Sequence, residues 1–246
     1  MTTHSTKGIV LRTVAYGDTS LIAQVYTELF GAQSYMVKGV RKAGKKGGNK
    51  AIYFQPAAIL EMEVYHNEFK SLQFIKTFDW AYMYQHIFFD VVRNAVALYM
   101  VELLQHSLKQ PEANPELFYL IHDSLIHADK TDTTTLANLP LYFTLHLAAE
   151  LGFEIQGQYS NQTPILDLTE GCFIAQTPTH QHYLTVNDSA IISDIQSIHF
   201  YEALANIKLN QATRRQLLAA LQQYLALHVT DFGTIKSLPV LQAVLN

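Results

Sequence analysis

Residues 8–37 read GIVLRTVAYGDTSLIAQVYTELFGAQSYMV, and this stretch decides the fold class of the amino-terminal part. Its first half is rich in β-branched residues, and Leu21, Ala23 and Val25 alternate with Gln24 and Tyr26. A period of two is typical of a strand with one buried face. Residues 16–18 (YGD) and 30–31 (FG) are turn signals. The stretch therefore predicts three strands joined by two turns.

Two further strands are predicted before residue 80. Residues 60–64 (LEMEV) alternate apolar and acidic side chains, residues 71–77 form another alternating run, and residues 66–68 (HNE) mark the turn between them. Five short strands within eighty residues predict a five-stranded, antiparallel, partly open β-barrel of the OB type. An SH3-like barrel satisfies the strand count nearly as well, so the count alone leaves both folds open.

A basic, glycine-rich segment follows the third predicted strand. Residues 38–50 contain four glycines, no acid and six cations: Lys38, Arg41, Lys42, Lys45, Lys46 and Lys50. The net charge of the chain is -4, yet residues 1–80 hold 10 Lys and Arg against 6 Asp and Glu, and residues 81–246 hold 7 against 15. This asymmetry indicates an amino-terminal part that meets a polyanion.

Aromatic side chains in the same part of the chain could stack on nucleic-acid bases. They are Tyr16, Tyr26, Tyr35, Tyr53 and Phe54. Most are expected in the barrel core, and one or two exposed tyrosines would suffice for stacking.

From about residue 82 the apolar period becomes helical. A first stripe comprises Ile87, Val91, Ala95, Leu98, Val101 and Leu108. Residues 114–116 (NPE) form a helix start, Pro140 is expected near the start of a third helix, and Gly152 is expected to end it. We predict an α+β protein of two domains, with an OB-fold nucleic-acid-binding domain at 1–80 and a helical bundle at 81–246. An irregular insertion with two short β-like pieces is expected at 152–188.

The sequence contains few candidates for catalysis or metal binding. It lacks G-x-G-x-x-G, G-x-x-x-x-G-K-[ST] and G-x-S-x-G, so nucleotide hydrolysis and serine hydrolase chemistry are not expected. The single cysteine, Cys172, excludes an intramolecular disulfide, and its spacing to His180 and His182 matches no common zinc pattern. No signal peptide or membrane span is evident, and a soluble, cytoplasmic, non-enzymatic protein is expected.

The two ends of the chain resemble the RecO family of bacterial recombination mediators. The matching features are the strand at 8–11 (GIVL), the turn at 16–20 (YGDTS), the FG turn at 30–31 and the GVRK segment at 39–42. Gln55-Pro56 with the following LEM, then Tyr224, His228 and a Lys-Ser-Leu tail at 236–238, also agree.

The resemblance implies a function in DNA repair and recombination after DNA damage. Members of the family bind single- and double-stranded DNA, anneal complementary strands, and act with RecR to load RecA onto DNA coated by single-strand-binding protein. It also implies a bacterial, nucleoid-associated location. Many relatives carry a four-cysteine zinc module in the middle region; with Cys172 alone there, residues 157–184 are expected to keep their shape without metal or any other cofactor.

Two other function classes fit parts of the sequence. An OB-fold RNA-binding or translation-associated module would explain the basic loop but not the acidic helical part, and a pure scaffold would show no salt-sensitive DNA binding.

Two sets of site residues are predicted. The nucleic-acid-binding set comprises Lys38, Arg41, Lys42, Lys45, Lys46 and Lys50, with Arg12 as a helper. In relatives the acidic, phenylalanine-containing tail of single-strand-binding protein docks on the helical domain, which requires an apolar pocket beside a cation. Arg214 and Arg215, ahead of the Leu217–Leu221 stripe, are the predicted partner-binding residues.

Overall fold

A computed structural model describes residues 2–41, 50–108 and 110–245 of the chain. The chain divides into two compact units, each built from two segments. The first unit comprises Met1–Gln85 and Leu108–Ile126, and the second comprises His86–Ser107 and His127–Asn246.

The first unit contains a closed five-stranded barrel. Its strands are β1 (Thr2–Tyr16), β2 (Ser20–Thr27), β3 (Gly31–Val37), β4 (Ile59–His66) and β5 (Leu72–Tyr82). They close in the order β1-β2-β3-β5-β4, with antiparallel pairs throughout except for the parallel pairing of β3 with β5. The five predicted strands are confirmed, and this order is that of the OB barrel.

The barrel interior explains why these segments form strands. Ile9, Val25, Tyr35 and Leu60 are completely buried, as alternate positions facing one core should be. Burying an aliphatic side chain such as Ile9, Val25 or Leu60 stabilises the fold by about 1.5–3 kcal/mol. Gly8 on β1 leaves room for its neighbours, since a Cβ there would lie 2.4 Å from Cε of Met62. The core is therefore packed tightly at the crossing of β1 with β2 and β4.

A loop and the start of a helix complete the first unit. The loop at 110–114 leads into α2 (Pro115–Lys130), which begins in the first unit and ends in the second. Asn114 caps this helix, because its Oδ1 accepts a hydrogen bond from the backbone N–H of Leu117 at 2.9 Å. On the barrel side, Tyr26 donates from its hydroxyl to the Asn114 carbonyl at 3.2 Å.

The second unit is mainly helical. Besides the end of α2 it contains α1 (Val91–Ser107), α3 (Thr133–Glu150), α4 (Val186–Gln196), α5 (Gln211–His228), α6 (Ser237–Val244) and a 3-10 helix at Tyr201–Asn206. A hairpin of β6 (Ile165–Asp167) and β7 (Cys172–Ile174) matches the two short β-like pieces predicted in the middle segment. None of the helices in the described part of the chain has the length and apolar character needed to cross a bilayer.

Two details of the predicted helices were wrong. The third helix begins at Thr133 and not near Pro140, because Asp132 caps it by accepting from the backbone N–H groups of Thr134 and Thr135. Pro140 lies inside the helix. In α1 the expected stripe is incomplete, since Val91 is 71% exposed while Val96 and Ala97, outside the stripe, are completely buried. The helix packs against both α3 and α6, so its buried surface is wider than one stripe.

Candidate nucleic-acid interface

The start of the basic segment is fixed to one end of the barrel. Lys38 directly follows β3, and its Nζ lies 5.3 Å from the centroid of the Phe74 ring, within the range of a cation–π contact. Arg41 donates from its backbone N–H to Thr19 O and from Nη1 to Gly17 O, both at 3.0 Å. The guanidinium is therefore held against the turn that joins β1 to β2.

Two further predicted cations, Lys50 and Arg12, lie on the same unit. Lys50 opens a 3-10 helix, Lys50–Phe54, and is exposed, as is Arg12 on β1. Lys42, Lys45 and Lys46 fall outside the described residues. Within the described part of the chain, Lys38, Arg41, Lys50 and Arg12 form no ion pair. Exposed, uncompensated cations are what phosphate binding requires.

An open groove adjoins Arg41. Its volume is about 380 Å3, and its walls are Thr13, Val14, Ala15, Leu21, Arg41 and Ala51. Tyr16, at the end of β1, is 54% exposed beside this end of the barrel. Neighbouring parts of β1, β2 and the basic segment thus contribute a flat side chain, a cation and an open groove. This arrangement suits an extended nucleic-acid strand.

The structure separates the predicted aromatics into core and surface. Tyr26, Tyr35 and Phe54 are buried and contribute to the barrel core. Tyr53 is half-buried and stacks on Trp80 of β5 with ring centroids 4.7 Å apart. Sequence reasoning missed Trp80, because nothing local to β5 places it against the 3-10 helix that follows the basic segment.

The two arginines predicted to bind a partner differ in their surroundings. Arg214 is only 6% exposed, and it donates from Nε to Asn138 Oδ1 at 3.2 Å and from Nη2 to Leu209 O at 3.1 Å. Burial lowers the pKa of its guanidinium. Arg215 is exposed and donates from Nε to Gln242 O of α6 at 2.9 Å. Only Arg215 is therefore accessible to a partner.

The stripe behind the two arginines belongs to the core, since Leu217 and Leu221 are completely buried. An open pocket lies instead where α6 ends. Its volume is about 220 Å3, and it is lined by Asp90, Val92, Arg93, Thr133, Leu136, Ala137, Val244 and Leu245. The pocket adjoins α5, because Gln211 donates from Nε2 to Leu245 O at 3.0 Å.

The middle segment is held by hydrogen bonds around Asp167. This residue is 3% exposed, and its Oδ1 accepts from the backbone N–H groups of Thr169 and Glu170. His180 Nε2 lies 3.1 Å from the other carboxylate oxygen. Among the described residues no group of three or more His, Cys, Asp or Glu side chains is placed to hold a metal ion. Cys172, His180 and His182 therefore do not form such a group.

We expect Asp167→Ala to destabilise the protein by about 1–3 kcal/mol, because it leaves two part-buried backbone N–H groups and His180 without their acceptor. Chelation by EDTA should leave the melting temperature unchanged, as should Cys172→Ser. Thermal unfolding of the Asp167→Ala variant, the Cys172→Ser variant and the EDTA-treated protein, each compared with the unaltered protein, measures these effects. If EDTA lowered the melting temperature and Cys172→Ser abolished that response, a metal would hold the segment.

The fold and the site together define a class: an OB-fold protein whose barrel presents a cationic segment and whose second part is helical. Family models match both parts, "Recombination protein O N terminal" over residues 1–84 and "Recombination protein O C terminal" over residues 89–239.

Curated relatives extend the match over nearly the whole chain. The chain is 31% identical over 243 residues to a DNA repair protein RecO of Flavobacterium psychrophilum, covering 98% of each chain. It is 30% identical to the proteins of the same name from Bacteroides fragilis, with 98% of each chain covered, and from Christiangramia forsetii, with 97% of this chain and 98% of the relative covered. The chain belongs to the RecO family of DNA repair proteins.

Proposed function

We propose that the protein is a DNA-binding recombination mediator. It binds single- and double-stranded DNA, anneals complementary strands and, with RecR, assists the loading of RecA onto DNA coated by single-strand-binding protein, acting at the bacterial nucleoid. The observation that carries the proposal is the set of uncompensated cations, Lys38, Arg41 and Lys50, held on the OB barrel at both ends of the segment 42–49.

The proposed chemistry is electrostatic and requires no catalytic group. Cations that replace the counterions of phosphates bind any sequence, and they lower the repulsion between two strands that must pair. Tyr16, with its half-exposed ring, adds a surface on which a base can stack without sequence preference. Binding and annealing then follow from charge and stacking alone, and the protein acts as a mediator without turning over a substrate.

Strand annealing distinguishes this proposal from an RNA-binding module. Complementary labelled oligonucleotides should anneal faster with the protein than without it, also when both are coated with single-strand-binding protein, and addition of RecR should enhance RecA loading on the coated strand. Binding of structured RNA is the comparison. Tight RNA binding without annealing would favour the translation-associated module, and salt-insensitive or absent DNA binding would favour a scaffold.

We place the tail of single-strand-binding protein at the junction of α5 and α6. Arg215 supplies an exposed cation there, and the pocket lined by Leu136, Val244 and Leu245 supplies apolar walls. An acidic peptide with a phenylalanine needs both. Arg214 serves this site from within, because it holds the start of α5 against Asn138 of α3.

Arg215→Ala is expected to weaken binding of a tail peptide at least threefold, the size of an exposed charge contact. Fluorescence anisotropy of the labelled peptide measures this, with naked-DNA binding unchanged. Lys208→Ala, which removes another exposed cation of the second unit, is the control. Arg214→Ala is expected to lower the melting temperature as well, since it removes a buried network. Equal peptide affinity of the Arg215→Ala variant and the unaltered protein would place the tail elsewhere.

A further inference from the structure

The turn between β4 and β5 presents an exposed aromatic ring. Phe69 is 96% exposed, the highest value among the exposed large hydrophobic side chains of the described residues. A phenylalanine in a short surface turn contributes nothing to the core. The exposed ring is therefore available to contact a ligand.

The backbone of the turn that carries the ring is braced by hydrogen bonds. The backbone N–H of Phe69 donates to Asn67 Oδ1 at 2.9 Å, and that of Lys70 donates to Asn67 O at 3.0 Å. Gln73, only 2% exposed, donates from Nε2 to both Asn67 O and Lys70 O, and its Oε1 accepts from the Asn67 N–H at 2.9 Å. A buried side chain thus fixes the backbone of the turn from below. A fixed backbone loses little freedom when Phe69 binds a ligand, which favours binding.

An open cavity of about 570 Å3 lies beside the ring. It is lined by Ala32, Gln33, Ser34, His66, Glu68, Phe69, Lys70, Ser71, Gln73 and Pro111. Its lining carries amide, hydroxyl and imidazole groups, together with one positive charge from Lys70 and one negative charge from Glu68. Burial and the neighbouring His4 lower the pKa of His66, which favours the neutral imidazole that can donate and accept hydrogen bonds.

We propose that this cavity, hereafter the β4–β5 site, takes an unpaired base of a nucleic-acid strand, with Phe69 stacked on the base and Lys70 beside its phosphate. Neutral hydrogen-bonding groups suit base edges, and a flat exposed ring suits base stacking. A folded protein partner would be expected to need a broader apolar surface than one ring and this polar lining.

The site is connected to the basic segment by a single strand of the barrel. Ser34 of β3 lines the cavity and is paired with Leu72, directly after the turn, while Lys38 directly follows β3. Four residues of strand correspond to about 13 Å. One extended nucleic-acid strand can therefore cross β3 and reach both places. The inference rests on the proposed function, and it adds a preference for single strands, because paired bases in a duplex are not available for stacking.

The experiment compares Phe69→Ala and Phe69→Tyr with the unaltered protein in anisotropy titrations of a labelled oligo-dT and of a duplex, each at several salt concentrations. Phe69→Ala is expected to weaken single-strand binding about fivefold to a hundredfold, the range for losing one stacked base. The salt slope and duplex affinity should stay unchanged, and Phe69→Tyr should keep near-normal affinity. Phe200→Ala, which removes a 74% exposed phenylalanine from the second unit, should have no effect.

Three results would overturn the inference. In the first, Phe69→Ala binds oligo-dT as tightly as the unaltered protein, which itself binds with the expected salt dependence. This result would contradict the β4–β5 site and leave the proposed function intact. Equal weakening for single strands and duplex shows that Phe69 does not stack on an unpaired base. Absence of salt-dependent DNA binding by the unaltered protein removes both proposals. A shared melting temperature of the variants confirms that the fold is intact, as expected for an exposed side chain.

Discussion

Replacing Gly31 with alanine is expected to destabilise the barrel unit by about 3 kcal/mol or more. Gly31 has φ +61°, and a Cβ built on it would lie 2.1 Å from the backbone oxygen of Glu112. The left-handed backbone alone costs a non-glycine residue about 1–2 kcal/mol, and a clash with backbone cannot be relieved by a side-chain rotation. Urea unfolding of the purified variant measures the loss.

Gly17 provides the matched control for this prediction. Its φ is +57°, nearly the same, but no atom lies within 4 Å of a Cβ built there. Gly17→Ala should therefore cost only the free energy of the left-handed backbone, about 1–2 kcal/mol. If the two substitutions cost the same free energy of unfolding, the loop at Pro111 and Glu112 does not pack on Gly31 as described.

Replacing Lys42, Lys45 and Lys46 together with glutamate is expected to remove most of the DNA affinity. If the basic segment neutralises about four to six phosphates, log–log plots of single-strand affinity against salt should have a slope of about -3 to -4, from roughly 0.7 per contact. Removing three of these contacts should flatten the slope by about 2 and weaken binding to all sequences alike. Titrations of two unrelated oligonucleotides at four salt concentrations measure both effects.

A second triple variant tests whether location or net charge matters. Lys76, Lys130 and Lys208, all outside the basic segment, can be replaced by glutamate to give the same change in net charge. This control should keep a slope of about -3 to -4. An unchanged slope in the basic-segment variant, or an equal loss in both variants, would show that the segment is not the phosphate-binding element.

The two proposed nucleic-acid contacts, the basic segment and Phe69, should affect binding in different ways. Charge reversal in the basic segment changes the salt slope and acts on single strands and duplex alike, whereas loss of Phe69 leaves the slope and acts on single strands. A variant carrying both changes should show nearly additive losses on oligo-dT, since one set of substitutions removes charge contacts and the other removes a stacking contact.

Local features of the sequence determined the strands, several turns and the basic segment. Alternation in residues 21–25 and 60–64 reports which face of a strand is buried, and this depends only on neighbouring residues. The glycine of the FG turn at 30–31 indicated a backbone that other residues rarely adopt, and φ +61° at Gly31 agrees. The helix start at 114–116 is equally local, because a capping side chain bonds the first turn of its own helix.

Tertiary structure decided what local pattern could not. The strand count did not separate an OB barrel from an SH3-like one; the parallel pairing of Ser34 with Leu72 closes the barrel, and it joins residues far apart in the chain. Arg214 and Arg215 are neighbours in sequence, yet one is buried against Asn138 and the other exposed, because successive helix residues point in different directions and α3 covers only one of them. Exposure of Phe69 likewise depends on a buried Gln73 that fixes the turn from beneath. Burial is a property of the packed chain, and for these residues only the packed chain reveals it.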